Sequence, residues 1–366
     1  MRTVPAATLR AATVVALMAS AAGVVHLWAQ PQRLTLAVVM TNDPAGNKIK
    51  VYNAQDGALL QTLETNGTGG AGNNAYGVRQ FEGEVFAAVN YGSRSVALFR
   101  RDGDRLRFER VVNTTSSPVS IDFGNEHMYV AGSTSVDSFV MQGRNVAWLD
   151  GSANLSLSGG APPPEGATSQ VGVVDARHLL VTLKADPDPG TVDVVSLNDG
   201  AIANTAPAAV SGPAGSLAPF GFVVYPDRTA LITLAHSSEN SLFRDGAFVD
   251  VVDSSQTAPC WMTRAGKYVF VANTASRTLS RLVGSGSHVF TDSAVAAAIP
   301  TGNPTDLDAA GGILAAIDHG GGRSHLSLFT YNELGELVSG AAVIDLDVPD
   351  ANGVAVIPPP QDRDLN

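Results

Sequence analysis

The stretch KYVFVANTASRTLSRL, residues 267–282, decides the fold because the chain repeats its pattern. The apolar run YVFVA is followed by a polar bend at Asn273 and then by a second, alternating run. Apolar runs of this length between turn residues are typical of β-strands, so the stretch predicts a hairpin. Both faces of YVFVA are apolar, which indicates a strand buried on both sides.

Six other segments follow the same pattern, and several end in Asp-Gly turns of the kind that joins hairpin strands. They cover residues 34–59, 83–106, 126–146, 177–202, 227–249 and 311–337. A further apolar strand precedes every copy except the first. These preceding strands are predicted at 76–81, 118–123, 170–175, 219–224, 259–264 and 304–309. Units of 40 to 52 residues with three or four strands are typical of propeller blades.

The two ends of the repeat region complement each other. The hairpin at 34–59 has no strand before it, and the strand at 352–357 has no hairpin after it. We therefore predict an all-β fold, a seven-bladed β-propeller closed by pairing the C-terminal strand with the N-terminal blade. An open two-sheet sandwich is the alternative, but it requires neither a fixed period nor the two unmatched ends.

The first 30 residues differ from the rest of the chain. Arg2 and Arg10 precede or flank an apolar stretch that is followed by small residues, as in a secretory signal peptide. The apolar run is shorter than the roughly 20 residues that span a bilayer, although an uncleaved anchor is the alternative. We therefore expect a signal peptide at 1–30, one propeller domain at 31–358 and a tail at 359–366. The mature chain is then secreted or periplasmic and has no membrane span.

The amino-acid composition limits the classes of partner and cofactor that the chain is expected to bind. The formal net charge is −11, and nucleic acid is excluded because phosphate backbones are bound by clustered Lys and Arg. The one cysteine, Cys260, cannot form a disulfide within the chain. No cofactor is predicted. A divalent metal such as calcium is the alternative, since carboxylates cluster at DPDPG (186–190) and DLDVPDANG (345–353), without the ligand alternation of an EF-hand.

At YVFVANTASRTLSRL and VFAAVNYGSRSVALF the chain resembles the YVTN-type repeats of the lactonase-like seven-bladed propeller family, over about residues 34–358. That family includes propeller 6-phosphogluconolactonase and carboxymuconate cycloisomerase. The resemblance implies a His, acidic and Arg constellation at one channel mouth, with the histidine in an inner-strand opening. Here those openings read SPVSIDF, SQVGVVD and APFGFVV and contain no histidine, so no catalytic residue is carried over.

Strand direction predicts where a site lies. In an up-and-down blade, the loop entering the innermost strand and the loop between the second and third strands meet at one channel mouth. A ring of polar and aromatic side chains there suits a small-molecule site, although Asn and Asp also recur in bends for their turn geometry. The predicted ligand-binding residues are Asn42, Asp43, Asn90, Lys184 and Asn273 from the bends, and Tyr76, Gln170, Phe220, Trp261 and Asp306 from the openings, beside Asn352.

Two histidines in the bends have acidic neighbours. His236 with Glu239, and Asp318 with His319, are the candidate catalytic acid/base pairs. The sequence thus predicts an exported propeller that binds an unknown small molecule or protein at one mouth. The alternative is a lactone hydrolase or cycloisomerase, in which Lys184 or Arg94 steadies an anionic substrate.

Overall fold

The computed structural model describes residues 33–72, 74–185, 190–285, 288–338 and 342–360. The predicted signal peptide at 1–30 and the end of the predicted tail lie outside the described residues. Within these ranges the chain forms 29 β-strands and one short 3-10 helix at Ser158–Gly160. In this part of the chain no helix has the length and apolar character needed to cross a membrane.

The strands form seven antiparallel sheets, which are the blades of the propeller. Six blades are built from consecutive strands, and in blade 4 two short strands share the outer position. Blade 1 contains β1 (Leu36–Met40), β2 (Lys48–Asn53) and β3 (Leu59–Glu64). Blade 2 contains β4 (Val78–Phe81), β5 (Val85–Asn90), β6 (Ser95–Asp102) and β7 (Arg105–Asn113). Blade 3 contains β8 (Pro118–Gly124), β9 (His127–Gly132), β10 (Ser135–Gln142) and β11 (Asn145–Asn154). Blade 4 contains β12 (Thr168–Val173), β13 (His178–Leu183), β14 (Thr191–Asn198), β15 (Ala201–Ile202) and β16 (Ala208–Ser211). Blade 5 contains β17 (Pro219–Val224), β18 (Ala230–Leu234), β19 (Glu239–Arg244) and β20 (Ala247–Asp253); blade 6 contains β21 (Pro259–Ala265), β22 (Tyr268–Asn273), β23 (Thr278–Ser285) and β24 (His288–Ala298); blade 7 contains β25 (Asn303–Ala310), β26 (Ile313–Gly320), β27 (Arg323–Thr330) and β28 (Ala342–Asp345); β29 (Val354–Ile357) completes blade 1.

The ring closes as predicted. The C-terminal strand β29 pairs with β1, with Leu36 opposite Ile357 and Val39 opposite Val354. Each innermost strand contacts the innermost strand of the next blade, and β29 contacts β4, so the circle of seven is complete. The N-terminal blade therefore depends on a strand from the other end of the chain.

The stretch that reveals the repeat lies between two blades. On one face of β22, Phe270 and Ala272 pack with residues of blade 7, and on the other face Val269 and Val271 pack with residues of blade 5. All four side chains are fully buried. Burial of the Phe270 ring alone contributes about 2 to 3 kcal/mol. The doubly apolar strand predicted from sequence is confirmed.

Neighbouring inner strands belong to separate sheets, so side chains satisfy the backbone N–H groups between them. Asp122 accepts from the N–H of Val173 at 2.9 Å, and Gln170 accepts from Phe222 at 2.9 Å. In blade 7, Asp308 accepts from Val356 at 2.8 Å. Polar residues inside the apolar inner strands therefore join one blade to the next.

Candidate functional site

Two adjoining cavities open at the channel end where the inner strands begin. One is about 320 Å³ and the other about 450 Å³, and both are lined by Trp261 and Thr305. We call the two together the mouth site, and the two parts the polar cavity and the aromatic cavity. The polar cavity is lined by Asn42, Pro44, Gly70, Ala71, Gly72, Trp261, Thr305, His319, Asp350 and Asn352. The aromatic cavity is lined by Pro164, Glu165, Gly166, Ala167, Lys184, Ala185, Phe220, Ala235, His236, Ala258, Cys260, Trp261, Thr274 and Thr305.

Hydrogen bonds fix the wall of the polar cavity. The Asn42 amide accepts from the N–H groups of Gly70 and Ala71 at 2.9 Å each and donates to the Ala71 carbonyl at 2.8 Å. Nε2 of His319 lies 2.7 Å from the carbonyl oxygen of Ala351. Because a carbonyl can only accept, this nitrogen carries the proton and Nδ1 of the neutral ring is the basic nitrogen.

The aromatic cavity combines two rings with an amine. Phe220 and Trp261 meet edge to face with centroids 4.9 Å apart, and the Trp261 indole N–H donates to the Asn74 carbonyl at 2.9 Å. Nζ of Lys184 lies 4.8 Å from the Phe220 ring centroid. Burial lowers the pKa of Lys184 to about 8, and burial raises the pKa of the Cys260 thiol to about 11. The thiol is therefore neutral, whereas the amine titrates close to neutral pH.

Two buried polar atoms on residues of the mouth site have no hydrogen-bond partner among the described residues. They are Oγ1 of Thr305 and Oδ1 of Asn352, on residues that are only 8% and 6% exposed. Thr305 lines both cavities, and Asn352 lines the polar one. Buried polar atoms are nearly always paired, so each of these two unpaired atoms carries a desolvation cost in the described structure.

Seven of the predicted site residues line the mouth site. They are Asn42, Lys184, Phe220, His236, Trp261, His319 and Asn352. Asp43 instead closes an exposed turn by accepting from the N–H of Ala45 at 2.8 Å. The alternation of side chains along strands and the local turn geometry explain why other predicted residues face elsewhere.

Three of the predicted ligand residues are fully buried and line neither cavity: Asn90, Asn273 and Asp306. Oδ1 of Asn90 accepts from Asn47 at 3.0 Å and from Thr65 at 2.7 Å. Asp306 accepts from the N–H of Val354 at 3.2 Å and so joins two inner strands. Asn90 and Asp306 connect blades, whereas the Asn273 amide donates to Thr278 within blade 6 at 3.2 Å. We therefore correct the placement of all three at the mouth.

Neither predicted acid/base pair forms. Asp318 and His319 are adjacent in β26, so their side chains point to opposite faces. The fully buried Asp318 is instead 3.1 Å from Nδ1 of His325, its cross-strand neighbour in β27. Glu239 accepts from the Ser216 hydroxyl at 2.6 Å and does not line the mouth site, whereas His236 does. Of the four predicted acid/base residues, His236 and His319 line the mouth site, and they come from different blades.

A third cavity, of about 390 Å³, lies where the inner strands end, and two predicted residues, Tyr76 and Gln170, line it rather than the mouth site. The guanidinium of Arg79 lies 3.9 Å from the Tyr76 ring centroid, with Nε 3.3 Å from Asp122 and Nη1 3.8 Å from Asp308. The Tyr76 hydroxyl donates to the Met262 carbonyl at 3.0 Å. The sequence analysis did not single out Arg79 and Asp122. The feature that could have identified them is a charged residue at alternate positions of an inner strand.

Within the described residues, the carboxylates considered for calcium do not form a cluster. Among the described residues, no group of three or more His, Cys, Asp or Glu side chains is arranged to hold a metal ion. In the segment 345–353, Asp345 pairs with Arg323 at 2.5 Å and Asp350 lines the polar cavity. The segment 186–189 lies outside the described residues.

No protein-family model matches the chain, and no curated protein sequence matches it. Solved structures do. A proposed 6-phosphogluconolactonase from Bacteroides uniformis has a TM-score of 0.61 at 16% identity, covering 88% of this chain and 99% of that one. A periplasmic gluconolactonase from Pseudomonas aeruginosa has a TM-score of 0.61 at 15% identity, with the same coverage. A virginiamycin B lyase from Staphylococcus aureus has a TM-score of 0.52 at 12% identity, covering 78% and 93%.

These likenesses confirm the predicted resemblance at the level of the fold. The chain has the seven-bladed architecture of the lactonase-like propellers over nearly the full length of the compared structures. Sequence identities of this size support a shared fold and nothing more, and the three compared proteins are named for different activities. Function must therefore be argued from the mouth site.

Proposed function

We propose that this chain is an exported propeller that binds a small molecule at the mouth site. The observation that carries the proposal is the pair of adjoining cavities that share Trp261 and Thr305, with the Lys184 amine 4.8 Å from the Phe220 ring centroid. Ligand sites are concave, largely preformed and lined by aromatic and apolar groups with a few polar atoms that fix orientation. Export rests on the composition of residues 1–30.

The size of the site favours a small molecule over a protein. Each cavity falls within the range of about 300 to 1,000 Å³ that holds small ligands. A small ligand in the aromatic cavity would lie beside the side chains of Phe220, Trp261 and Thr305. An anionic group on the aromatic side would be attracted to the Lys184 ammonium.

A blocking variant tests the proposal. Gly72 lines the polar cavity, and a Cβ added there meets no atom within 4 Å, so Gly72→Leu adds bulk at the cavity wall without a clash at Cβ. Gly46 offers the same free space but lines neither cavity, and Gly46→Leu is the matched control. We expect compounds from a metabolite library to raise the melting temperature of the wild type and of G46L but not of G72L. Equal shifts in all three proteins, or none with any compound, would reject the proposal.

Lactone hydrolysis is the second candidate. The observation that favours it is the basic Nδ1 of His319 at the mouth, together with the fold shared with a gluconolactonase. In such a reaction the histidine takes a proton from water, the hydroxide adds to the ester carbonyl, and the C–O bond to the ring oxygen breaks as that oxygen is protonated.

Assays of aldonolactones and aromatic-derived lactones decide between binding and catalysis. We expect any lactonase activity to disappear in His319→Ala and to persist in His288→Ala, which changes an exposed histidine of β24. Ligand binding without turnover of any lactone would leave binding as the function.

A further inference from the structure

A groove on the outside of the ring contains an exposed tryptophan among polar side chains. It is formed by outermost strands, which are the strands farthest from the channel. It lies between β7 and β11, the outermost strands of blades 2 and 3, and has a volume of about 510 Å³. Its lining residues are Glu109, Arg110, Gln142, Asn145, Val146, Ala147 and Trp148. We propose that this outer groove binds a carbohydrate, independently of the mouth site.

The tryptophan is the first observation. Trp148 is 55% exposed, whereas the other described tryptophan, Trp261, is 3% exposed. Between the pairs Phe139–Leu149 and Met141–Val146, strand β11 has one residue more than its partner β10. Such a bulge bends the strand and changes the direction of side chains beside it. A large, rigid ring is thus presented to solvent at the wall of a groove.

The second observation is a network of polar groups that is already fixed. Arg100 binds Glu109 through two hydrogen bonds of 3.0 and 3.1 Å, and its Nη2 also donates to Oδ1 of Asn145 at 2.8 Å. Arg110 donates to the carbonyl oxygen of Ala147 at 3.3 Å. Each Glu109 oxygen keeps a second lone pair, and the Asn145 amide keeps its N–H groups as donors. Little side-chain entropy is then lost when a ligand binds.

This chemistry fits a sugar better than the other candidates. A pyranose has a face of C–H groups that can lie on an indole ring, while its equatorial hydroxyls both donate and accept hydrogen bonds. Carboxylate, amide and guanidinium groups around one aromatic ring satisfy both requirements. An apolar peptide would leave the Glu109–Arg100 pair buried without new partners, and a polyanion would meet Glu109 on a chain of net charge −11.

Affinity electrophoresis tests the inference on the folded chain. Native gels containing glucomannan, xyloglucan, dextran or soluble starch are the probes. We expect at least one polysaccharide to retard the wild type, and Trp148→Ala to weaken that affinity about tenfold, corresponding to about 1.4 kcal/mol. The matched control is Leu149→Ala, which removes a neighbouring side chain that is 44% exposed and does not line the groove. L149A should be retarded like the wild type.

Two outcomes overturn the inference. Migration unaffected by every polysaccharide would exclude a glycan site of useful affinity. Retardation that is equal in the wild type and in W148A would place sugar binding elsewhere on the molecule. The blocking variant Gly72→Leu should be retarded normally, so a failure of the mouth site and a failure of the outer groove remain distinguishable.

Discussion

The carboxylate of Asp308 accepts a hydrogen bond from the backbone N–H of Val356 at 2.8 Å and so ties the inner strand of blade 7 to the strand that closes the ring. Two residues earlier, Asp306 binds the N–H of Val354 at 3.2 Å in the same way. Both carboxyl groups are buried, and burial raises the pKa of each above its ordinary value. The closure thus depends on two acids as well as on pairing between β29 and β1.

Asp308→Ala should loosen this closure. The substitution leaves the Val356 N–H unpaired in the interior and removes one anionic neighbour of Arg79, so we expect a loss of about 2 to 4 kcal/mol in the free energy of unfolding. Asp308→Asn keeps an acceptor for Val356 and should lose less. Urea titrations give the free energies, and hydrogen exchange at Val356 gives the local effect. Unchanged exchange at Val356 in D308A would contradict this account of the closure.

Asp193 should make stability depend on pH. It is fully buried and accepts from the Ser156 N–H at 3.0 Å, yet burial raises its pKa from 3.8 to about 6. A folded-state pKa above the unfolded value favours folding at low pH, and this contribution is lost as pH rises from about 4 through 6. The loss corresponds to about 3 kcal/mol at most.

Asp193→Asn isolates this effect, because the amide oxygen can still accept from Ser156 but cannot titrate. We expect wild-type stability to fall relative to D193N between pH 4 and pH 7. Urea unfolding of both proteins at each pH is the measurement. A difference that stays constant over this range would show that Asp193 does not titrate there.

The sequence was sufficient for the ring but not for the orientation of single side chains. Hairpin turns, doubly apolar strands and the two unmatched ends are local or periodic features, and they predicted seven blades and their closure. Whether a residue at a strand end faces the channel or the neighbouring blade depends on a shift of one residue. This is why Asn90 and Asn273, placed at the mouth by sequence, are fully buried and line neither cavity of the mouth site.

The sequence also did not predict which side chains interact across neighbouring strands. Asp318 was matched with the adjacent His319, but alternation along β26 turns the two apart, and the actual partner is His325 in the next strand. Thr305 has no distinguishing pattern, since threonine is common in strands. Its importance appears only when the absence of a hydrogen-bond partner in the described structure is seen together with the two cavities that it lines.

Asn47, just before β2, and Asn240, in β19, are both buried. Replacing each with leucine should change the free energy of unfolding in opposite directions. Asn47 makes four hydrogen bonds, two of them to Val89 and Asn90 in the next blade at 3.0 Å each. Neither polar side-chain atom of Asn240 has a hydrogen-bond partner in the described part of the chain. We expect Asn47→Leu to lose about 3 kcal/mol or more in unfolding free energy, and Asn240→Leu to be neutral or stabilising. Comparable losses in urea titrations would mean that the Asn240 amide is satisfied by water.

Lys184 should titrate near pH 8. The side chain is half-buried with Nζ 4.8 Å from the Phe220 ring centroid, and burial lowers the pKa to about 8 because the charged form loses hydration. The chain has four lysines, so dimethylation with carbon-13 gives a simple spectrum, and Lys184→Arg assigns the signal. We expect the signal missing in K184R to titrate with a midpoint about two pH units below the ordinary value for lysine. A midpoint near 10.5 would show that the amine is hydrated.

Thr305→Val should separate stability from binding. Valine matches threonine in shape, and the hydroxyl that it removes is buried without a partner in the described structure, so its loss relieves a desolvation penalty of about 1 to 2 kcal/mol. We expect T305V to unfold at the same or a higher urea concentration than the wild type.

If the hydroxyl orients a ligand of the mouth site, T305V should also bind that ligand about 5 to 30 times more weakly. Calorimetry with a ligand identified by the library screen measures this, with Thr62→Val on the exposed strand β3 as the control. A destabilised T305V that binds normally would assign the hydroxyl a purely structural role.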